Sequence, residues 1–153
     1  NGRIIIVARP IHQLRAYLTV RKQLPEYEFV VCQDQELTKN EYHNILGEAK
    51  IVFSASLQET LGIGCYEGAL VDAIPMVPNR LSYSEMYQDR FKYPSEWTTN
   101  WDGYLKNKTN LCNFITAYIE DYDGYLPSVK EQALDLTEKF LIVSQQFPNQ
   151  KTQ

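Results

Sequence analysis

The chain has little cysteine, no long apolar run and no excess of positive charge, and each shortage excludes something. Its three cysteines, at positions 32, 65 and 112 of 153, stand at no metal-ligand spacing and cannot all pair with one another. That usage suits a reducing compartment, so a cytoplasmic location is expected. No apolar stretch approaches the roughly 20 residues of a membrane span, and no charged-then-apolar leader is present, so a soluble domain is expected. Fifteen basic residues against nineteen acidic ones leave a net charge of -4, which gives no overall attraction to nucleic acid or an anionic membrane. A local basic patch stays compatible with that total. His12 and His43 have no second ligand at metal spacing, so no metal site is expected. With seven glycines, the chain carries neither the Gly-Lys-Ser/Thr ending of a phosphate-binding loop nor the rhythm of the dinucleotide fingerprint. Neither an NTPase nor a dehydrogenase is indicated.

What is present is an alternation of strand-like and helix-like segments. A hydrophobic content of 44% in 153 residues supports one domain with a sizeable core. Ile4 to Ala8 is a continuous β-branched run of the kind found in parallel strands buried on both faces. It starts almost at the first residue, so an interior piece of a longer chain is expected. His12 to Leu24 reads as a helix stopped by Pro25, and Glu28 to Gln33 as a second strand. Thr38 and Glu41 fit a capping box, with Tyr42, Ile45, Leu46 and Ala49 on one face of the helix that follows. Ile51 to Ser54 reads as a third strand, Gly62 to Ala73 as a third helix and Ile74 to Val77 as a fourth strand. Phe91 to Tyr93 is a short edge strand beside Pro94.

Two apolar stripes, Leu111 to Ile119 and Val129 to Phe147, predict two amphipathic helices separated at Asp123 and Gly124. The expected fold is α/β, a Rossmann-like doubly wound parallel sheet closed by two C-terminal helices. It spans residues 1–147 as a single domain, with a frayed tail at 148–153.

In an open parallel sheet, ligands bind outside the carboxyl ends of the strands. Arg9 and Arg15 follow the first strand, Ser54 to Gly64 follow the third, and Asn79 to Ser84 follow the fourth. Glycine between the third strand and its helix lets backbone N–H groups approach an anion at the positive helix end. Glu59 stands before that helix and Glu67 follows eight positions later, inside it. The two carboxylates are suited to accept hydrogen bonds from opposite ends of a polyhydroxylated ligand. Glu59 equally suits a first-turn acid complementing the helix dipole, and Glu67 a solvated helix residue. Arg9 and Arg15 have the donor chemistry for a diphosphate. Cys65 reads as a packing residue. The aromatic residues Tyr83, Tyr87, Phe91, Tyr93, Trp97 and Trp101 read as core or interdomain packing, with stacking on a base or a partner contact as the alternative.

The run SASLQETLGIGCYEGALVDAIPMVPN resembles the nucleotide-sugar-binding segment of retaining glycosyltransferases of the GT-B fold, of the glycosyl transferases group 1 or family 4 type. Glu59, Leu61-Gly62-Ile63 and Glu67 stand in that register. Arg9 and Arg15 match the basic residues after the domain's first strand. From Val77 onward, VPNRLSYSEMY is similar to the tRNA-queuosine mannosyltransferase branch, with Gln58 where that branch has His and Ser84 where it has Pro.

The resemblance implies that Arg9 and Arg15 bind the donor diphosphate and that Glu59 contacts the transferred sugar. It gives Thr60, Leu61, Gly62 and Ile63 the role of backbone donors, and Glu67 that of holding the ribose. Catalytic roles fall on Glu59, Arg9 and Arg15. The donor would be a UDP- or GDP-linked sugar, with no cofactor and no required metal. The partner would be an N-terminal acceptor domain outside this chain, without which the chain is expected to be inactive. The acceptor stays open between a nucleic acid and a glycan. The rival expectation is a non-catalytic Rossmann-like module that binds a nucleotide or a protein.

Overall fold

A computed structural model of the protein describes residues 5–9, 21–31, 38–54, 63–80 and 82–146. Five strands, β1 (Ile5–Arg9), β2 (Glu28–Val31), β3 (Ala49–Ser54), β4 (Ile74–Pro78) and β5 (Lys92–Tyr93), form one sheet in the order β2-β1-β3-β4-β5. Every neighbouring pair is parallel. The fold is therefore α/β around an open parallel sheet. Strands buried on both faces explain the near-continuous apolar runs: Ile51, Val52, Ile74, Met76 and Val77 have no exposed surface.

The helices are α1 (Lys39–Glu48), α2 (Ile63–Leu70), the single turn α3 (Tyr83–Met86), α4 (Trp101–Glu120) and α5 (Tyr122–Gln146). Of the predicted helix at residues 12–24, residues 21–23 are helical and 12–20 lie outside the described residues. The capping box forms as expected. The Glu41 backbone N–H donates to Thr38 Oγ1, and the Thr38 N–H donates to Glu41 Oε1 at 2.9 Å. That bond holds the Glu41 carboxyl below its ordinary pKa, because the ionised form is the better acceptor. Ala49 then turns extended and passes straight into β3, so the strand begins two residues before the expected Ile51.

Helix α2 stops at Leu70, before the expected Ala73. The Ala73 N–H bonds the Gly68 carbonyl and the Asp72 N–H that of Ala69, while Asp72 takes φ 70°. This is the left-handed helix stop known as the Schellman motif. Gly68 is fixed by close approach, since a Cβ there would lie 2.4 Å from Val52 Cγ2.

Successive side chains of β3 point to opposite faces, and both are covered. Val52 meets α2, whereas Phe53 stacks on Tyr93 at 5.8 Å, followed by Trp97 at 6.0 Å and then Phe114 of α4 at 5.8 Å. The two C-terminal helices close the molecule with the expected stripes: Leu111, Ile115, Tyr118, Val129, Ala133 and Leu136 are buried. The break between them falls at Asp121, not at Asp123 and Gly124. Gly124 is tolerated inside the first turn of α5, where its bare Cα leaves room for the Asp121 carboxylate. Strand β5 is shorter than expected because Phe91 closes a 3-10 turn, Asp89–Phe91, and buries its ring there.

Candidate functional site at the carboxyl edge of the sheet

The strand order reverses between β1 and β3, and there Arg9, the last residue of β1, pairs with Ser54, the last residue of β3. A reversal of this kind opens a crevice, because the two outgoing connections leave in opposite directions. The segment from 55 to 62 leads from Ser54 into α2, whose first residue is Ile63. The segments that follow Arg9 and Ser54 thus start from neighbouring points on one edge. Arg15, Glu59, Thr60, Leu61 and Gly62 lie outside the described residues.

Glu67, one turn into α2, lies alongside α1. Tyr42 Oη donates to its Oε1 at 3.5 Å, and His43 Nε2 is 3.6 Å from its Oε2. Its side chain is about one-third exposed, at 33%, so the carboxylate is held laterally yet open to solvent. The solvated-helix reading is too plain for this residue, which links two helices. His43 keeps 46% exposure and tilts against Tyr42, with ring centroids 5.7 Å apart.

Beside this crevice runs a polar network that the sequence marks only as a loop after the fourth strand. Ser54 is 2% exposed, and its hydroxyl meets Tyr83 Oη at 3.1 Å. Tyr93 Oη donates to the Ser54 carbonyl at 2.6 Å and meets Thr98 Oγ1 at 3.0 Å. Burial raises the Tyr93 phenol well above its ordinary pKa, so it remains a donor. Arg80 Nη2 donates to Thr98 Oγ1 at 3.1 Å, and Nη1 donates to the Ser95 carbonyl at 2.9 Å, to Ser95 Oγ and to Thr99 Oγ1. Desolvation lowers the Arg80 pKa, yet a guanidinium starts so high that it stays charged. Sequence reasoning does not single out Arg80. Its one signal there is that of a cation immediately after a buried strand end.

The aromatic residues resolve toward packing. Tyr83, Tyr87, Phe91 and Tyr93 are buried, and Trp97 packs edge-on against Phe114. Cys65 is also buried, in accord with a packing role. A second buried polar residue escapes the sequence reading. Gln132 of α5 accepts from the Gln88 N–H at 2.7 Å and donates to the Met86 carbonyl at 3.0 Å. Two open grooves, of about 640 and 520 Å³, share Ser95 and Glu96, and neither is lined by Ser54 or Glu67. Among the described residues, no three His, Cys, Asp or Glu side chains gather to hold a metal ion, and no helix is long and apolar enough to cross a membrane.

Compared with known proteins, the chain matches no family model and no curated protein.

Proposed function

We propose that the chain is the donor-binding half of a retaining glycosyltransferase, which transfers a sugar from a UDP- or GDP-linked donor to an acceptor. The observation that carries this reading is the pairing of Arg9 with Ser54 where the strand order reverses. Arg9 and Ser54 are the points on one edge from which the Arg15-bearing and Glu59-bearing segments leave the sheet. A helix N-terminus and two guanidinium groups suit a diphosphate, which would leave with its charge stabilised electrostatically. Glu59 would accept from hydroxyls of the transferred sugar, and the half-open Glu67 carboxylate from the ribose. An N-terminal domain of the same enzyme would supply the acceptor site, so this chain alone would turn over no substrate.

The rival reading, a protein-interaction module, depends on offering the aromatic residues at 83–101 to a partner. Most of those rings are enclosed in the core, which favours the donor reading. Thermal shift and calorimetry with UDP and GDP test it. One of the two nucleotides is expected to raise Tm, by linkage of binding to folding; Glu67→Ala is expected to weaken that effect, and Glu59→Ala to weaken the effect of the corresponding nucleotide-linked sugar. No shift with either nucleotide, or full affinity in both variants, would sink the assignment.

A further inference from the structure

The two grooves that share Ser95 and Glu96 lie outside the carboxyl ends of β4 and β5, where an open parallel sheet offers its ligand positions. Asn79 follows β4 directly, and Pro94 follows β5. At about 640 and 520 Å³ each groove is of ligand size, and the shared residues join them into one cleft. Its wall is held fixed. Arg80 Nη1 donates to the carbonyl and the hydroxyl of Ser95, the first residue of the 3-10 turn Ser95–Trp97. The same turn brings the Glu96 carbonyl so close to the first turn of α4 that a Cβ on Gly103 would lie 2.2 Å from it. Only a bare Cα fits there.

Two amides of the lining are oriented in opposite senses. Asn100 Oδ1 accepts from the Gly103 N–H at 2.8 Å, which leaves its Nδ2 to donate. Asn107 Nδ2 donates to the Gly103 carbonyl at 2.9 Å, which leaves its Oδ1 to accept. Glu96, Asp102 and Lys106 line the same groove, are exposed, and make no side-chain hydrogen bond or ion pair among the described residues. At the other end of the cleft Lys92 and Asp89 already neutralise each other at 3.0 Å. Free donors are thus interspersed with free acceptors. A phosphate only accepts and would meet two open carboxylates, while an ammonium group only donates and would meet Lys106. A hydroxyl does both, so vicinal hydroxyls match the mixed lining. Exposed Pro94 adds an apolar face for a sugar ring.

We propose that this cleft binds a neutral oligosaccharide, with Glu96, Asp102 and Asn107 accepting from its hydroxyls and Lys106 and Asn100 donating to them. It is lined entirely by residues of the 79–107 region, apart from Ser54 and Glu67, and stands or falls independently of the donor reading above.

Amide spectra of the chain titrated with maltotriose, cellotriose and mannotriose test this, with inorganic phosphate and spermidine as charged probes. At least one trisaccharide is expected to move the Ser95–Asn107 amides saturably, with a Kd on the order of 1 mM, as suits an open cleft that leaves much of its ligand in water. Glu96→Ala and Asp102→Ala, at exposed positions where truncation spares the core, are each expected to weaken that binding roughly tenfold, the size of a lost hydrogen bond to a charged group. Glu138→Ala, exposed on α5 and outside the cleft, is expected to leave it unchanged. No saturable shift with any of the three sugars, or full affinity in both cleft variants, would overturn the proposal. So would phosphate or spermidine moving the same amides more strongly than the sugars, since the cleft would then select charge and not hydroxyls.

Discussion

Two tyrosines that look alike in the sequence sit in opposite situations. Tyr93 is buried with its hydroxyl fully used, whereas Tyr87, 4% exposed, buries a hydroxyl with no hydrogen-bond partner among the described residues. Desolvation pushes its phenol far above the ordinary range, so the group is neutral at every physiological pH. A neutral hydroxyl removed from water without a partner costs on the order of 1–3 kcal/mol, while the ring, packed edge-on against Tyr83 at 5.8 Å, still contributes its full apolar area. Tyr87→Phe is accordingly expected to stabilise the protein by about 1 kcal/mol. A rise in urea midpoint with unchanged slope checks it, and a fall would mean that the hydroxyl is partnered in solution. The same substitution at Tyr93 has the opposite sign, because it removes a donor from the buried Ser54 carbonyl. Sequence alone gives both residues the same aromatic label, since nothing local distinguishes a phenol with a partner 39 positions away from one with none.

Among elements, α2 shows most clearly what is legible and what is not. The apolar content of residues 63–73 and the strand on each side mark a helix in a crossover, and a helix is there. Its end is hidden because Val71, Asp72 and Ala73 contain no glycine, the usual left-handed stop. Asp72 fills that place instead, a conformation aspartate tolerates better than most side chains. Tertiary contacts also hold it: its carboxylate pairs with Lys130 Nζ at 2.8 Å, and its carbonyl accepts from Tyr122 Oη at 2.6 Å. Asp72→Gly removes the backbone strain, worth roughly 1 kcal/mol, and loses an exposed ion pair worth about 0–1 kcal/mol, so near-neutral stability is expected. Asp72→Val keeps the strain, worsens it by β-branching and loses the pair, and is expected to cost about 2 kcal/mol. Thermal melts of the two variants check the order; equal losses would show that the backbone conformation carries no cost. Within the same helix, Glu67 is legible as a candidate from its spacing to Glu59. Its engagement by Tyr42 and His43 is not, because helix-to-helix register is decided by the sheet.

For the whole molecule, α5 acts as a strap across one side of the sheet. Near its start, Tyr122 bonds the turn before β4 and lies under Lys50 Nζ, 3.8 Å from the ring centre. Further along, Thr137 Oγ1 meets Tyr66 Oη at 2.8 Å, and the Tyr66 ring meets Phe140 at 4.7 Å. Between these anchors Gln132, with no exposed surface, joins the strap to the turn between α3 and the 3-10 turn at Asp89. The apolar stripe of α5 can be read from the sequence as core, and Val129, Ala133 and Leu136 are core. Gln132 cannot be read, because a polar residue beside a stripe normally marks its solvent edge. Its burial follows from two backbone groups, the Gln88 N–H and the Met86 carbonyl, that irregular chain leaves without a ladder partner. Replacing it with leucine fills the volume but abandons the Gln88 N–H in a dry environment, at about 1–3 kcal/mol before relaxation, and leaves the Met86 carbonyl only its longer bond from Lys139 Nζ, at 3.3 Å. Gln132→Leu is therefore expected to cost about 2–3 kcal/mol despite its gain in hydrophobicity, and Gln132→Glu to cost less at low pH, where a protonated carboxyl can both accept and donate as the amide does. Urea unfolding of the three proteins at neutral and acidic pH checks this. A leucine variant as stable as the parent would mean that the turn finds other partners, and that α5 does not depend on Gln132 for its anchoring.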